Sequence, residues 1–436
     1  MFFFSFKKAS PKYTGTNGLA RITAWTDEVK CGLRPRLPGY WGKENISVKI
    51  LIWATSFGAD LWSLARFLDG RSDVELKIVM NDPQLFLQEG IAKLYPLQSQ
   101  IIERRFYHQL IGIPGFKADV TIMDNWVPFR PPSPRGFMLW HGFGWKGPND
   151  VREFAYLHHC IKRTWGSSMK SNRNFRWHTF GPWDFEHRTT ISGFHPENCR
   201  QVGAASHDYL LSPVAREKLQ PFYPFDVITR KTILFAPTWH YGKVFSHWGD
   251  DSEIMNRLLQ ECTSRDANVI IRLHDSFRYD KKDLSSLKAL SASHKNVLIK
   301  FKDSAPDNIL DMQVSDVLMT NFSSIANLYY ATRRPTIHIY PVANADEEFM
   351  WRRYTPLGTV KKKITSVKYI WKLPPEDNGG LLAHSLPILL EQIGQALDDP
   401  DCCKEKVEDF LKRHMLGGDG RTCQRIWEVL TDFVSE

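Results

Sequence analysis

The 436-residue chain carries 57 Lys and Arg against 48 Asp and Glu, for a formal charge of +9. At roughly 100–200 residues per domain, this length predicts two or three domains, and no apolar run approaches the ~18 residues of a membrane-spanning helix. The positive surplus suits an anionic partner, but it is dispersed in short clusters such as Arg104-Arg105, Lys162-Arg163 and Arg352-Arg353. With no basic arm and no nucleic-acid-binding signature, nucleic acid is excluded as the expected partner.

Residues 1–47 are rich in Gly, Pro, Lys and Arg and read as an irregular leader; the apolar start Met1–Phe6 is too short for a signal segment. The pattern then sharpens. Val48–Trp53 is a compact apolar run, Leu61, Leu64, Ala65 and Leu68 have helical spacing, and Val74–Val79 is a second strand, which together make a βαβ opening with a parallel sheet. One helical stretch is expected over about 84–110, with strands at 120–123 and 136–140. Residues 181–230, dense in Gly, Pro and His, read as loops and a linker. A second βαβ series starts at Lys231–Ala236. Strands are expected at 268–272, 297–300, 317–320 and 336–340, helices at 252–264, 307–313 and from Ser324, and closing amphipathic helices near 384–397, 404–414 and 420–435. Seven cysteines, with no C-x-x-C pair, read as reduced structural thiols.

The predicted architecture is α/β, with two parallel-sheet domains. A doubly wound Rossmann-like domain over 48–227 faces a second one over 228–415 across a cleft, and the C-terminal helix, 416–436, packs back toward the first. In such folds ligands bind beyond the carboxyl ends of the strands. Four segments there carry the chemistry. Trp140-His141-Gly142-Phe143-Gly144-Trp145-Lys146 runs from a strand into a glycine turn; a histidine there suits a general base, and Lys146 suits a phosphate. The alternative is a loop histidine with glycines for turning. Phe235-Ala236-Pro237-Thr238-Trp239-His240 would aim Thr238 and His240 at the cleft, although by itself the segment reads better as a plain loop. In Ile271-Arg272-Leu273-His274-Asp275, Arg272 and His274 share a strand face and could grip a diphosphate; a surface ion pair with Asp275 is the alternative. In Thr320-Asn321-Phe322-Ser323-Ser324, a strand turns into a helix start with hydroxyls and main-chain donors for phosphate; ordinary capping is the alternative. No H-E-x-x-H, Walker or nucleophile-elbow spacing occurs. No metal site is predicted, and a divalent cation accompanying the diphosphate is left open.

In order along the chain, these segments resemble the CDP-glycerol glycerophosphotransferase family, the teichoic-acid primases and polymerases. The likeness rests on Trp140-His141-Gly142 with Lys146, Ala236-Pro237-Thr238-Trp239, Arg272-Leu-His274, Asp316 to Thr320-Asn-Phe-Ser323-Ser324, Arg334-Pro335, and the ending Asp419-Gly420 to Arg425. It departs at Asn321, where the family usually has Asp, at Asp275, where it has Pro, at Phe143-Gly144, and at His240. The resemblance implies a GT-B transferase that moves glycerol phosphate, or a related polyol phosphate, from a CDP-linked donor to a hydroxyl of a cell-envelope polymer or lipid-linked acceptor, releasing CMP. It makes His141 and His274 catalytic and gives Arg272, Thr320, Asn321, Ser323, Ser324, Thr238, His240 and Lys146 to the donor. It places the enzyme in the cytoplasm, peripheral at the inner face of the membrane. A GT-B glycosyltransferase using a nucleotide sugar is the runner-up, and a non-catalytic polyanion-binding module the third reading. The stripe Phe154, Leu157, Ile161 and Trp165, flanked by Lys162 and Arg163, either lies on a membrane or packs on a core.

Overall fold

The computed structural model describes residues 47–147, 149–238, 244–245, 248–276, 281–340, 349–355, 358–364 and 371–436. The sequence expectations for the leader and for His240 fall outside them, except at Ser47.

The first sheet is built from β1 (Val48–Trp53), β2 (Val74–Met80), β3 (Gln100–Glu103), β4 (Val120–Met123), β5 (Arg135–Met138), β6 (Phe175–Thr179) and β7 (Cys199–Gln201). Its order is β3-β2-β1-β4-β5-β6-β7, and every pairing is parallel. The second contains β8 (Thr232–Phe235), β9 (Asn268–Leu273), β10 (Val297–Phe301), β11 (Val317–Thr320), β12 (Thr336–Ile339) and, after the antiparallel hairpin β13 (Phe349–Thr355) and β14 (Gly358–Ile364), the edge strand β15 (Leu381–Ala383). Its order is β10-β9-β8-β11-β12-β15, again parallel. Both sheets are doubly wound, as predicted. The central strands read as unbroken apolar runs because helices cover both faces: all four residues of β4, β8 and β11 are buried. The order reverses beside β1 in the first sheet and beside β8 in the second, so each has a switch point where connections leave in opposite directions and open a crevice.

Two expectations are corrected, and the open reading of the 154–165 stripe resolves to core packing. The stretch 84–110 is not one helix; short helices at Pro83–Gln88, Gly90–Leu94 and His108–Ile111 flank β3. Asp82 caps the first, accepting from the Leu85 amide, and Pro83 starts it, while Gly90 interrupts the periodicity. Residues 181–230 are not mainly linker. They hold the helix Pro182–Thr190, β7, and short helices at Ser206–Leu210 and Arg216–Leu219. The stripe Phe154, Leu157, Ile161 and Trp165 is buried in the core of the first sheet with Trp53, Trp177 and Phe194, so those side chains do not face a membrane.

Both sheets lie in the compact unit Asn45–Glu436. The C-terminal helix, Thr422–Ser435, returns to the first sheet. The Asp208 carboxylate accepts from the amides of Thr422 and Cys423 at 2.9 and 2.7 Å, which satisfies the helix's first donors. Arg71 stacks on Trp427, and Arg176 pairs with Glu436. The connection into this helix passes so close to Gly203 (φ +93) that a β-carbon there would stand 2.1 Å from the Leu416 oxygen. Only glycine satisfies both that conformation and that approach.

Candidate active site

Between the sheets lies a cavity of about 220 Å³, lined by strand-end residues from both. The first sheet contributes Ser56 and Gly58 after β1, Asp124 after β4 and His141 after β5. The second contributes Pro237 after β8, Arg272 and His274 at the end of β9, Lys302 after β10, and Ser323 and Ser324 after β11. Segments read separately in the sequence thus meet at the carboxyl edges of both sheets. The approach is close: a β-carbon on Gly142 would be 3.6 Å from the Ser324 Oγ.

His141 follows β5 through Leu139 and Trp140. Its Nδ1 lies 3.2 Å from the Asp124 main-chain oxygen. A carbonyl only accepts, so Nδ1 carries the hydrogen and Nε2 keeps its lone pair. The Asp124 carboxylate accepts from the amides of Thr55 and Ser56 at 2.8 and 2.9 Å, which fixes the backbone that orients the ring. The ring is exposed by area because it lines an open cavity, yet protein surrounds it. Desolvation lowers its pKa below 6.5; the charge and carbonyl of Asp124 oppose the shift and Lys302 adds to it. The imidazole is therefore held neutral.

His274 and the serines line the cavity directly. Ser324 is the first-turn boundary of the helix Ile325–Tyr329 but makes no side-chain capping bond. Phe322 sits at φ +61, a left-handed conformation that is costly for a bulky residue. Its ring is anchored against His338 at 4.6 Å and Trp371 at 4.9 Å. That turn reverses the chain between Thr320 and Ser323.

Arg272 lines the cavity, but its guanidinium is engaged inside the domain. Nη1 donates to Asp311 at 2.8 Å and Nη2 to the Ala305 oxygen at 2.7 Å. Lys300 and the Tyr223 hydroxyl complete the shell around the Asp311 carboxylate. Burial works against ionisation there, but Lys300, Arg272 and the hydrogen bonds of Lys300 and Tyr223 together hold Asp311 below the usual carboxylate range.

Four other predicted site residues stand behind the wall. Thr320 Oγ1 donates to the Ala236 oxygen at 2.8 Å and accepts from the Ser323 amide. The Asn321 side chain forms a two-way clamp with Thr238: its Oδ1 accepts from the Thr238 amide and its Nδ2 donates to the Thr238 oxygen at 2.7 Å. Lys146 Nζ donates to the Asn321 main-chain oxygen at 2.7 Å, and burial pushes its pKa down to about 7. These groups set the loops that form the cavity rather than line it. Trp145 adds a second tie between the sheets, donating from Nε1 to Asn327 Oδ1 at 2.7 Å. Sequence reading missed Ser56, Asp124, Lys302 and Asn308, all of which line the cavity. The signal was available for three of them, because Asp124 and Lys302 directly follow strands and Ser56 stands in the turn three residues after β1. Among the described residues, no group of three or more His, Cys, Asp and Glu could hold a metal ion.

Residues 215–345 match the family model described as CDP-Glycerol:Poly(glycerophosphate) glycerophosphotransferase. The resemblance seen in the motifs is a true one. The chain is also 24% identical over 350 residues to the teichoic acid ribitol-phosphate polymerase TarK of Staphylococcus aureus, covering 76% of this chain and 60% of TarK. It is 26% identical over 200 residues to TarL of the same organism, covering 45% of this chain and 30% of TarL. It therefore spans less than two thirds of the length of these relatives. In structure it is similar to the wall teichoic acid polymerase TagF, with a TM-score of 0.62 at 14% identity over 90% of this chain and 91% of that one. A UDP-GlcNAc 2-epimerase from Neisseria meningitidis aligns with a TM-score of 0.50 at 11% identity, over 88% of this chain and all of that one. The fold is GT-B.

Proposed function

We propose that the chain transfers a polyol phosphate, glycerol phosphate or ribitol phosphate, from a CDP-linked donor to a hydroxyl of a cell-envelope polymer or lipid-linked acceptor. The observation that carries this reading is the position of His141: a neutral imidazole with its Nδ1 hydrogen committed to Asp124 shares one cavity with His274, Lys302, Ser323 and Ser324. We take residues 48–227 as the acceptor side, 228–415 as the donor side, and 416–436 as the returning helix.

In this reaction Nε2 of His141 takes the proton of the acceptor hydroxyl. The acceptor oxygen attacks the phosphorus that bears the polyol, forming a new P–O bond. The bond from that phosphorus to the bridging oxygen breaks, and CMP leaves with the electron pair. Such transfers depend on positioning and charge neutralisation more than on covalent help. His274, Lys302 and the two serine hydroxyls supply donors and positive charge toward the diphosphate, while Arg272 and Thr320 hold their loops in place. The relatives TarK and TarL are named for ribitol phosphate, so CDP-ribitol stands beside CDP-glycerol as a candidate donor. The enzyme works at the cytoplasmic face of the membrane, in peripheral contact; among the described residues no helix is long and apolar enough to cross it.

The test is CMP release from CDP-glycerol and from CDP-ribitol, with UDP- and GDP-sugars as controls. Release from a CDP-polyol alone supports the reading. Release of the nucleoside diphosphate from a sugar nucleotide instead would assign the cavity to a glycosyltransferase.

A further inference from the structure

Five large apolar side chains cluster on one exposed surface of the first domain. Phe106 is 76% exposed, Ile111 69%, Phe129 51%, Tyr107 49% and Leu110 36%. The loop after β3 and the loop after β4 are joined there, because the Arg130 amide donates to the Gln109 oxygen at 3.1 Å. The surface continues onto the outer face of the helix Ala155–Thr164: the Arg163 guanidinium lies 4.5 Å over the Phe129 ring, and Tyr156, 67% exposed, stands two turns earlier.

The charges around this surface have one sign. Arg130, Lys162 and Arg163 border it, and among the described residues none of them is held in an ion pair. Two carboxylates close in sequence to these segments are already paired, Glu103 with Arg105 at 2.6 Å and Asp150 with Arg152. Exposed aromatic and aliphatic side chains with an arginine and lysine rim fit the interfacial region of an anionic bilayer, where rings and alkyl groups enter the acyl boundary and cations meet lipid phosphates. The position is also informative. Both loops leave the carboxyl edge of the first sheet, the same edge that lines the cavity. Arg104, two residues before Phe106, reaches the Ala54 oxygen just after β1 and stacks on Trp126, and the Trp126 amide is tied to Thr55, one residue before Ser56 of the cavity wall.

We propose that Phe106, Tyr107, Leu110, Ile111 and Phe129, with Arg130, Lys162 and Arg163, form the surface by which this chain docks on an anionic lipid bilayer. This rests on the peripheral contact stated above and names its location. It replaces the inward stripe Phe154–Trp165 by the outward face of the same helix. The two loops that carry this surface begin at the sheet edge that lines the cavity.

The experiment is co-sedimentation of the full chain with vesicles of phosphatidylcholine alone and of phosphatidylcholine mixed with phosphatidylglycerol. The expected result is binding to the mixed vesicles that weakens as salt rises. Phe106→Ser with Ile111→Ser should reduce binding roughly tenfold or more, and Arg130→Glu with Lys162→Glu should reduce it at least about fivefold per charge. Ile388→Ser, on the second domain, should leave it unchanged. CMP release with a soluble acceptor, measured on the same variants, should stay at the parent level, which separates failure of docking from failure of the catalytic reading. Equal binding to both vesicle types, or full binding by the Phe106→Ser/Ile111→Ser variant, would overturn the proposal. So would self-association of the parent chain, without vesicles, that this variant abolishes; the surface would then be an interface between copies.

Discussion

The Nδ1 of His141 lies 3.2 Å from the main-chain oxygen of Asp124. This contact decides which ring nitrogen can act as a base. Because Asp124 also anchors the loop after β1 through the Thr55 and Ser56 amides, three strand ends of the first sheet are tied together at one imidazole.

The first prediction concerns that ring. His141→Gln should reduce CMP release by about 10²–10⁴-fold, the usual contribution of a positioned general base, while calorimetry shows donor binding retained. The pKa of His141 is shifted below 6.5, so the base form persists as pH falls through the neutral range. The acidic limb of kcat against pH should therefore have its midpoint below 6.5. A midpoint well above that value would mean another group limits the rate.

The clamp to Thr238 shows what the Asn321 amide does: it donates to one main-chain group of Thr238 and accepts from the other. Asn321→Asp keeps an acceptor for the Thr238 amide but loses the donor to the Thr238 oxygen and sets a carboxylate against a carbonyl. The cost should be about 1–3 kcal/mol, read as a lower urea midpoint at unchanged slope. A variant as stable as the parent would show that the two loops do not depend on this clamp.

Arg272 serves the domain as well as the cavity. Arg272→Met leaves the buried Asp311 with half of its cationic shell and should destabilise the fold by about 3–5 kcal/mol, so its activity must be read beside its stability. The folded pKa of Asp311 lies below 3.8. Its ionic contribution is therefore fully present above pH 3.8 and is lost as pH falls through the lower folded value. Acid unfolding of the parent should include a step in that range, and the Arg272→Met protein should unfold at higher pH.

Glu89, at the start of the helix Gly90–Leu94, behaves oppositely. Burial first, and then the charge of Asp307, raise its pKa to about 7. The folded protein holds that proton more tightly than the unfolded chain, so folding is penalised as pH rises from 4.5 toward 7 and the penalty is constant above. Glu89→Gln should remove this slope and raise the melting temperature at pH 8 relative to the parent. An equal pH slope in both proteins would contradict it.

The strands were legible because a parallel sheet covered on both faces writes each central strand as a short apolar run; Val48–Trp53 and Val317–Thr320 are examples. The short helices at Pro83–Gln88 and Ser206–Leu210 were not, since one and a half turns leave no period to detect. His141, His274, Ser323 and Ser324 could be chosen from their place after strands, and they do line one cavity. Lys146 and Asn321 could be chosen too, but not their partners. Asn321 meets Thr238 from 83 residues away and Lys146 meets Asn321 from 175; the first pairing follows from β8 lying beside β11 in one sheet and the second from the packing of one sheet against the other, and neither is written in local sequence. For the same reason the stripe Phe154–Trp165 was ambiguous: an amphipathic helix names its apolar face but not what covers it.

The central claim is that the cavity between the two sheets holds the donor diphosphate against His141. The most direct measurement is a crystal structure of the His141→Asn protein soaked with CDP-glycerol or CDP-ribitol. The account predicts the diphosphate within hydrogen-bonding distance of Ser323, Ser324 and His274, with the polyol-bearing phosphorus toward residue 141. A donor bound outside this cavity, or with its diphosphate turned away from residue 141, would contradict it.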